Sequence, residues 1–147
     1  MKRIVHTFEP TQLFNNLSPV INEMLSGTPK QDSIGMVNVY SRHTTLGLVI
    51  TEDELLHFAD IKKYLEGIAP RKGRYLHDHL DLRDVPCDEP INGSAHIQSL
   101  TFQASISIPV SWGELLLGKW QEIFAIDLDL EAEKTREVII TYTGQQI

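Results

Sequence analysis

From Ala104 to Val110 the chain alternates small polar with apolar side chains, Ala104-Ser105-Ile106-Ser107-Ile108-Pro109-Val110. Side chains of an extended strand point to opposite faces in turn, so this pattern predicts a strand with one face on a core and one outside. Thr135 to Thr143 behaves similarly, with Val138, Ile140 and Tyr142 on one face. Ile34 to Ser41 alternates through Ile34, Met36 or Val37, and Val39. Leu46-Gly47-Leu48-Val49-Ile50 is apolar throughout and reads as a buried strand running to Thr51. Two further strands are expected, over Lys2 to Phe8 with its β-branched Ile4, Val5 and Thr7, and over Trp120 to Leu128. Ser111-Trp112-Gly113-Glu114 reads as a turn.

Helices punctuate these strands. Ser18 suits an N-cap, Pro19 the first helical position and Gly27 the exit, with Val20, Ile21, Met24 and Leu25 on one face. Thr51 and Glu54 have capping-box spacing and open a helix to about Ile68, ended by Pro70. Its apolar face is Leu55, Phe58, Ile61 or Lys62, Leu65 and Ile68. Asn92 suits the cap of a short helix through Ala95, Ile97 and Leu100. With no repeat, linker or low-complexity segment, residues 1–147 read as one α+β domain, mainly antiparallel.

Charge narrows the function. The net charge of −7 argues against an extended nucleic-acid surface, which needs clustered Lys and Arg to displace counterions from phosphates. It leaves room for a small phosphorylated ligand held by local donors. Arg71, Lys72 and Arg74 form the tight basic cluster and read as a solvated turn. One cysteine, Cys87, allows no intrachain disulfide, which suits a reducing compartment. The N-terminus lacks a secretory pattern and no run of about 18 apolar residues occurs, so no membrane span and a cytoplasmic location are expected.

Six histidines carry the chemistry: His6, His43, His57, His77, His79 and His96. His6 sits in a terminal strand and His57 inside the long helix, where packing or surface roles are commoner. His43 lies in the turn between two apolar strands beside Thr44 and Thr45; His77 and His79 lie among aspartates in the irregular stretch 71–93; His96 opens the short helix. Irregular segments of that length are often functional. Brought together, such imidazoles with a carboxylate could hold zinc or another divalent ion, or act as general acids, bases and phosphate donors. His77-Asp78-His79 is an HxH pair, whereas HExxH, paired CxxC, GxxxxGK[ST], GxGxxG and GxSxG patterns are missing. Cys87 lacks the setting of a nucleophile, and Trp112 and Trp120 read as core or interface anchors.

Four segments, in order, resemble the YjbQ-like family of small proteins described as secondary thiamine-phosphate synthases. They are Tyr40-Ser41-Arg42-His43-Thr44-Thr45-Leu46-Gly47-Leu48 with Ile50-Thr51-Glu52; Tyr75-Leu76-His77-Asp78; Asn92-Gly93-Ser94-Ala95-His96-Ile97; and Ile108-Pro109-Val110 with Gly113 and Leu117-Gly118-Lys119-Trp120-Gln121. Leu46 stands where the family usually has alanine, and His79 and residues 83–90 match no family element. The resemblance implies an α+β fold with a large, mostly antiparallel sheet or sandwich and a few helices, assembled as a homotrimer. It implies that His43, His77 and His96 form a shared site, with Glu52 and Asp60 nearby, either catalytic or binding a divalent ion such as zinc or magnesium. The implied reaction joins hydroxymethylpyrimidine diphosphate to thiazole phosphate and releases pyrophosphate. A metal-dependent hydrolase using the same histidines, or a non-catalytic trimeric ligand-binding or metal-binding protein, are the alternatives.

Overall fold

The computed structural model describes residues 1–28, 33–130 and 135–146. Among these residues eight strands form two antiparallel sheets: β1 (Lys2–Phe8), β2 (Phe14–Asn16), β3 (Ser33–Ser41), β4 (Leu46–Thr51), β5 (Ser105–Ser111), β6 (Glu114–Leu115), β7 (Glu122–Asp127) and β8 (Arg136–Gln146). The large sheet has the order β1-β8-β3-β5-β6 and the small one β2-β7-β4. Three α-helices, α1 (Ser18–Ser26), α2 (Leu55–Ile68) and α3 (Gly93–Ser99), complete the fold. The expected α+β class and antiparallel sandwich are what forms.

The small sheet is the middle layer. Along β7, Ile123 and Ala125 join the core shared with Val37, Val39, Ile106, Ile108, Val138 and Ile140 of the large sheet. Their neighbours Phe124 and Ile126 face the other way, onto Phe58 and Leu65 of α2 and Ala95 of α3. A strand covered on both sides has no polar face to alternate with, which is why β4 and β7 are nearly continuous in apolar residues. Phe14 stacks on Phe58 with ring centroids 4.0 Å apart, and Phe124 meets Phe58 edge-on at 5.3 Å. On the outer face of the large sheet Val5, Met36 and Tyr40 are exposed. There the register β1–β8–β3 lines up exposed Val5, half-buried Ile139 and exposed Tyr40 in one row.

Helix ends differ from the expected capping chemistry. Helix α2 begins at Leu55, so Glu54 is itself the N-cap, its carboxylate accepting from the Leu56 and His57 amides at 2.7 and 2.8 Å. Thr51 is still in β4 rather than at the N-cap, and its hydroxyl pairs with the His57 ring at 2.7 Å. Ser18 is the first residue of α1 and is buried, its hydroxyl accepting the Ile123 amide of β7 at 3.0 Å. Asn92 precedes α3 without capping it through its side chain. Trp120 lies in a turn before β7 and, like Trp112, is about two-thirds exposed (64% and 67%), so neither tryptophan anchors the core.

One buried ion pair ties the sheets together. Arg136 at the start of β8 donates to both carboxylate oxygens of Asp127 at the end of β7, at 3.0 and 2.6 Å. A third bond runs to the Thr45 hydroxyl at 3.1 Å. No helix among the described residues is long and apolar enough to cross a membrane.

Candidate functional site

The stretch before α3 is irregular as expected, broken by two 3-10 turns at Leu76–Asp78 and Leu80–Leu82. Its conformation is held by polar clamps. The Gly93 amide donates to Asp78 Oδ1 at 2.7 Å, Arg83 donates to the His77 carbonyl at 2.9 Å, and the Tyr75 hydroxyl donates to the Pro70 carbonyl at 2.7 Å. Gly93 is required by close approach, since a Cβ there would lie 2.5 Å from Tyr75 Cβ and 2.8 Å from Asp78 Oδ1. Helix α3 is pinned to the end of α2: Ser94 donates to Ala69 O at 2.7 Å and the Gln98 amide to Leu65 O and Ala69 O at 3.2 and 2.9 Å.

These clamps bring His77 and His96 into contact. Their rings meet edge-on, with centroids 4.4 Å apart and planes at 61°. His77 Nε2 is buried and has no hydrogen-bond partner among the described residues. Nearby in sequence, Asn92 uses its amide nitrogen on Asp129 at 2.8 Å, leaving its buried Oδ1 without a donor. Orphaned buried polar atoms are uncommon in folded proteins, and a binding role is one of the standard reasons for them.

His43 is positioned by different neighbours. Its Nε2 accepts the Glu137 amide at 2.9 Å, which places the ring proton on Nδ1. Burial holds its pKa below the usual imidazole value, and the Arg136 cation pushes the same way against smaller opposing effects of Glu137 and Asp127. The ring lines a cavity of about 380 Å³ with Tyr40, Arg42, Phe102 and, from the end of α3, Ser99 and Leu100. The Leu128 amide donates to Thr45 O at 3.1 Å, so the chain leaving β7 toward Asp129 and the chain entering β4 after His43 meet at one end of the small sheet. His43 and the Asn92–His96 segment therefore share that end of the fold.

The other sequence candidates lie elsewhere. Glu52 is exposed just beyond the opposite end of β4, a strand of six residues, which separates it from His43 by roughly 20 Å of strand at ~3.3 Å per residue. Asp60 is exposed on α2. His79 is exposed and its Nδ1 lies 3.9 Å from Asp81. His6 stacks on Phe8 at 5.4 Å, and Cys87 is exposed. Among the described residues no three His, Cys, Asp or Glu side chains form a group that could hold a metal ion. Sequence reasoning missed Asp127, Arg136 and Glu137. The signal available was an aspartate, Asp127, at the end of an otherwise apolar run.

Comparison with known proteins decides the relationship. The family model described as UPF0047 protein YjbQ-like matches residues 4–145. A UPF0047 protein of Methanothermobacter thermautotrophicus is 32% identical over 127 residues, 85% of this chain and 81% of that protein. Another, from Archaeoglobus fulgidus, is 37% identical over 106 residues, 72% of this chain and 75% of its own length. The chain belongs to the UPF0047 YjbQ-like family.

Solved YjbQ-like folds agree with the architecture. A hypothetical protein from Aeropyrum pernix K1 superposes with a TM-score of 0.82 at 25% identity, over 99% of this chain and 100% of that one. A protein of the YjbQ/UPF0047 family from Clostridium acetobutylicum gives 0.77 at 24% identity over 95% and 99%, which speaks for the fold alone. In this YjbQ-like chain, Tyr40–Leu48 spans the end of β3, the turn at 42–45 that carries His43, and the start of β4, and Asn92–Ile97 opens α3 and carries His96. Leu117–Gln121 is the turn before β7, closed by the Gly118 amide donating to Gln121 Oε1 at 2.8 Å.

Proposed function

We propose that the end of the small sheet carrying His77, His96 and His43 binds a small phosphorylated substrate and supports thiamine-phosphate synthase-type chemistry. The observation that carries this reading is the contact of His77 with His96, in which His77 Nε2 is buried and lacks a hydrogen-bond partner among the described residues. A buried ring nitrogen left without a partner is one that a bound ligand would satisfy.

In the proposed reaction, the lone pair of the thiazole ring nitrogen forms a bond to the methylene carbon of hydroxymethylpyrimidine diphosphate. The methylene carbon–oxygen bond breaks, and its electron pair leaves with pyrophosphate. Catalysis then consists of holding the two components in line and placing donors on the departing oxygens. His77 and His96 are the donors, and His43, kept neutral by burial, positions rather than protonates. The diphosphate enters as its magnesium complex, part of the substrate. The reading includes assembly as a homotrimer, supported by the uncovered row of Val5, Ile139 and Tyr40 on the large sheet.

The test is thiamine-phosphate formation from both precursors with magnesium. Product is expected only when both are present, falling on the order of 10²–10⁴-fold in His77→Ala while the melting transition stays cooperative. A well-folded wild type that forms no product ends this reading.

A further inference from the structure

We propose that the cleft between α2 and the Gln12–Leu13 and Leu130 segments holds the phosphate or diphosphate group of an organic phosphate, through Lys62, Lys63 and Arg71. This rests on the reading above and names where the terminal phosphate of that substrate sits, the oxygen at the breaking bond being left to His77 and His96. The cleft has a volume of about 540 Å³, within the usual range for small-molecule sites. Three of the thirteen Lys and Arg residues of a chain with net charge −7 line it. Glu66, the one acid among its described lining residues, accepts the Arg71 amide at 3.2 Å. Lys62, Lys63 and Arg71 form no ion pair among the described residues. Local positive charge of this kind inside an acidic protein focuses attraction on anions at one place.

Two details make the cleft more than a solvated turn. The C-terminal end of a helix ordinarily repels anions through its free carbonyls. Here Leu65 O and Ala69 O accept from Gln98 and Ser94, and Pro70 O accepts from Tyr75 and the Gly73 amide. Lys62 Nζ, 5.9 Å from the Phe14 ring centroid, is held along the wall by a cation–π contact.

The cleft also continues toward the first turn of α3. A smaller cavity of about 50 Å³ shares Arg71 and Leu130 with it and is lined by Asn92 and Asp129. That volume accommodates an amino or hydroxyl group. The buried Asn92 Oδ1, which lacks a donor, is the acceptor for it. The ligand class is therefore a phosphate ester with an N–H or O–H donor beyond its phosphate, and Arg71 lies where the two compartments join.

Calorimetric titration of the full chain with inorganic pyrophosphate tests this. Lys63→Glu and Arg71→Ala replace exposed residues, and each should weaken binding at least tenfold. Lys119→Ala, beside Trp120, serves as the charge control and should bind as wild type. Wild type that fails to bind pyrophosphate, unchanged binding in Lys63→Glu and Arg71→Ala, or an equal loss in Lys119→Ala would each overturn the proposal. Binding is read without turnover, so pyrophosphate held by a catalytically silent wild type would sink the synthase reading and leave the cleft standing.

Discussion

Arg136 crosses from the large sheet to take both carboxylate oxygens of Asp127 on the small one, with the two side chains only 3% and 1% exposed. Breaking a buried pair by removing one member strands the other charge in a low-dielectric interior. Asp127→Ala is expected to lower unfolding free energy by about 3–5 kcal/mol, read by urea denaturation. Thr45→Ala removes a single hydrogen bond to the same guanidinium and should cost about 1–2 kcal/mol. Equal costs for the two variants would mean that the ion pair contributes nothing beyond one ordinary bond.

Gly93 is the hinge of the histidine contact. A methyl group there meets Tyr75 and Asp78, so Gly93→Ala must push the 71–92 stretch away from α3. The expected stability loss is about 1–3 kcal/mol, the usual range for overpacking. The sharper readout is NMR: the mutual ring-current shifts of His77 and His96 should diminish. Unchanged histidine shifts would show that the contact does not depend on this clamp.

His43 sets a pH dependence. Its folded pKa lies below the unfolded value of about 6.5, so between the two values the unfolded chain binds more protons than the folded one. Its contribution to stability is therefore complete above about pH 6.5 and declines as pH falls toward the folded pKa. His6, whose pKa burial also lowers, acts in the same direction. Denaturation curves from pH 7.5 to 5 should show this decline, and His43→Gln should remove part of its slope. A His43 resonance that titrates above 6.5 would contradict the burial argument.

The hairpin joining β5 to β6 carries strain at Trp112, which has φ 56° beside Gly113 at φ 76°. A bulky residue in the left-handed region costs on the order of 1 kcal/mol or more, and asparagine tolerates that region better. Trp112→Asn should raise the midpoint of thermal unfolding by a few degrees at low protein concentration. A lower midpoint would instead mean that the exposed indole makes a stabilising contact, as an interface anchor would.

Much of the fold was legible because it is written in local periodicity. The alternation of Ser105 to Val110 and of Val138 to Tyr142 puts those side chains inside or outside whatever sheet they join, since the period of a strand is a property of the backbone. Helix α2 was readable from the spacing of Phe58, Ile61 and Leu65, but Leu55 and Ile68, expected on the same face, are exposed, and Thr51 does not cap it. Which residue caps depends on where β4 stops, and that is fixed by its pairing with β7 through Thr51 and Glu122.

The site divided along the same line. Sequence by itself marked His43, His77 and His96 as histidines outside regular packing, and the family relationship follows from sequence alone. Tertiary structure decided that His77 meets His96, that His43 is held by Glu137 beside the Asp127–Arg136 pair, and that Glu52 lies past the far end of β4. Lys62, Lys63 and Arg71 became a cleft only when α2 packed beside Gln12 and Leu130. Periodicity is set by neighbours along the chain. Proximity between distant residues is set by which apolar faces bury one another, and a single chain of letters does not state that pairing.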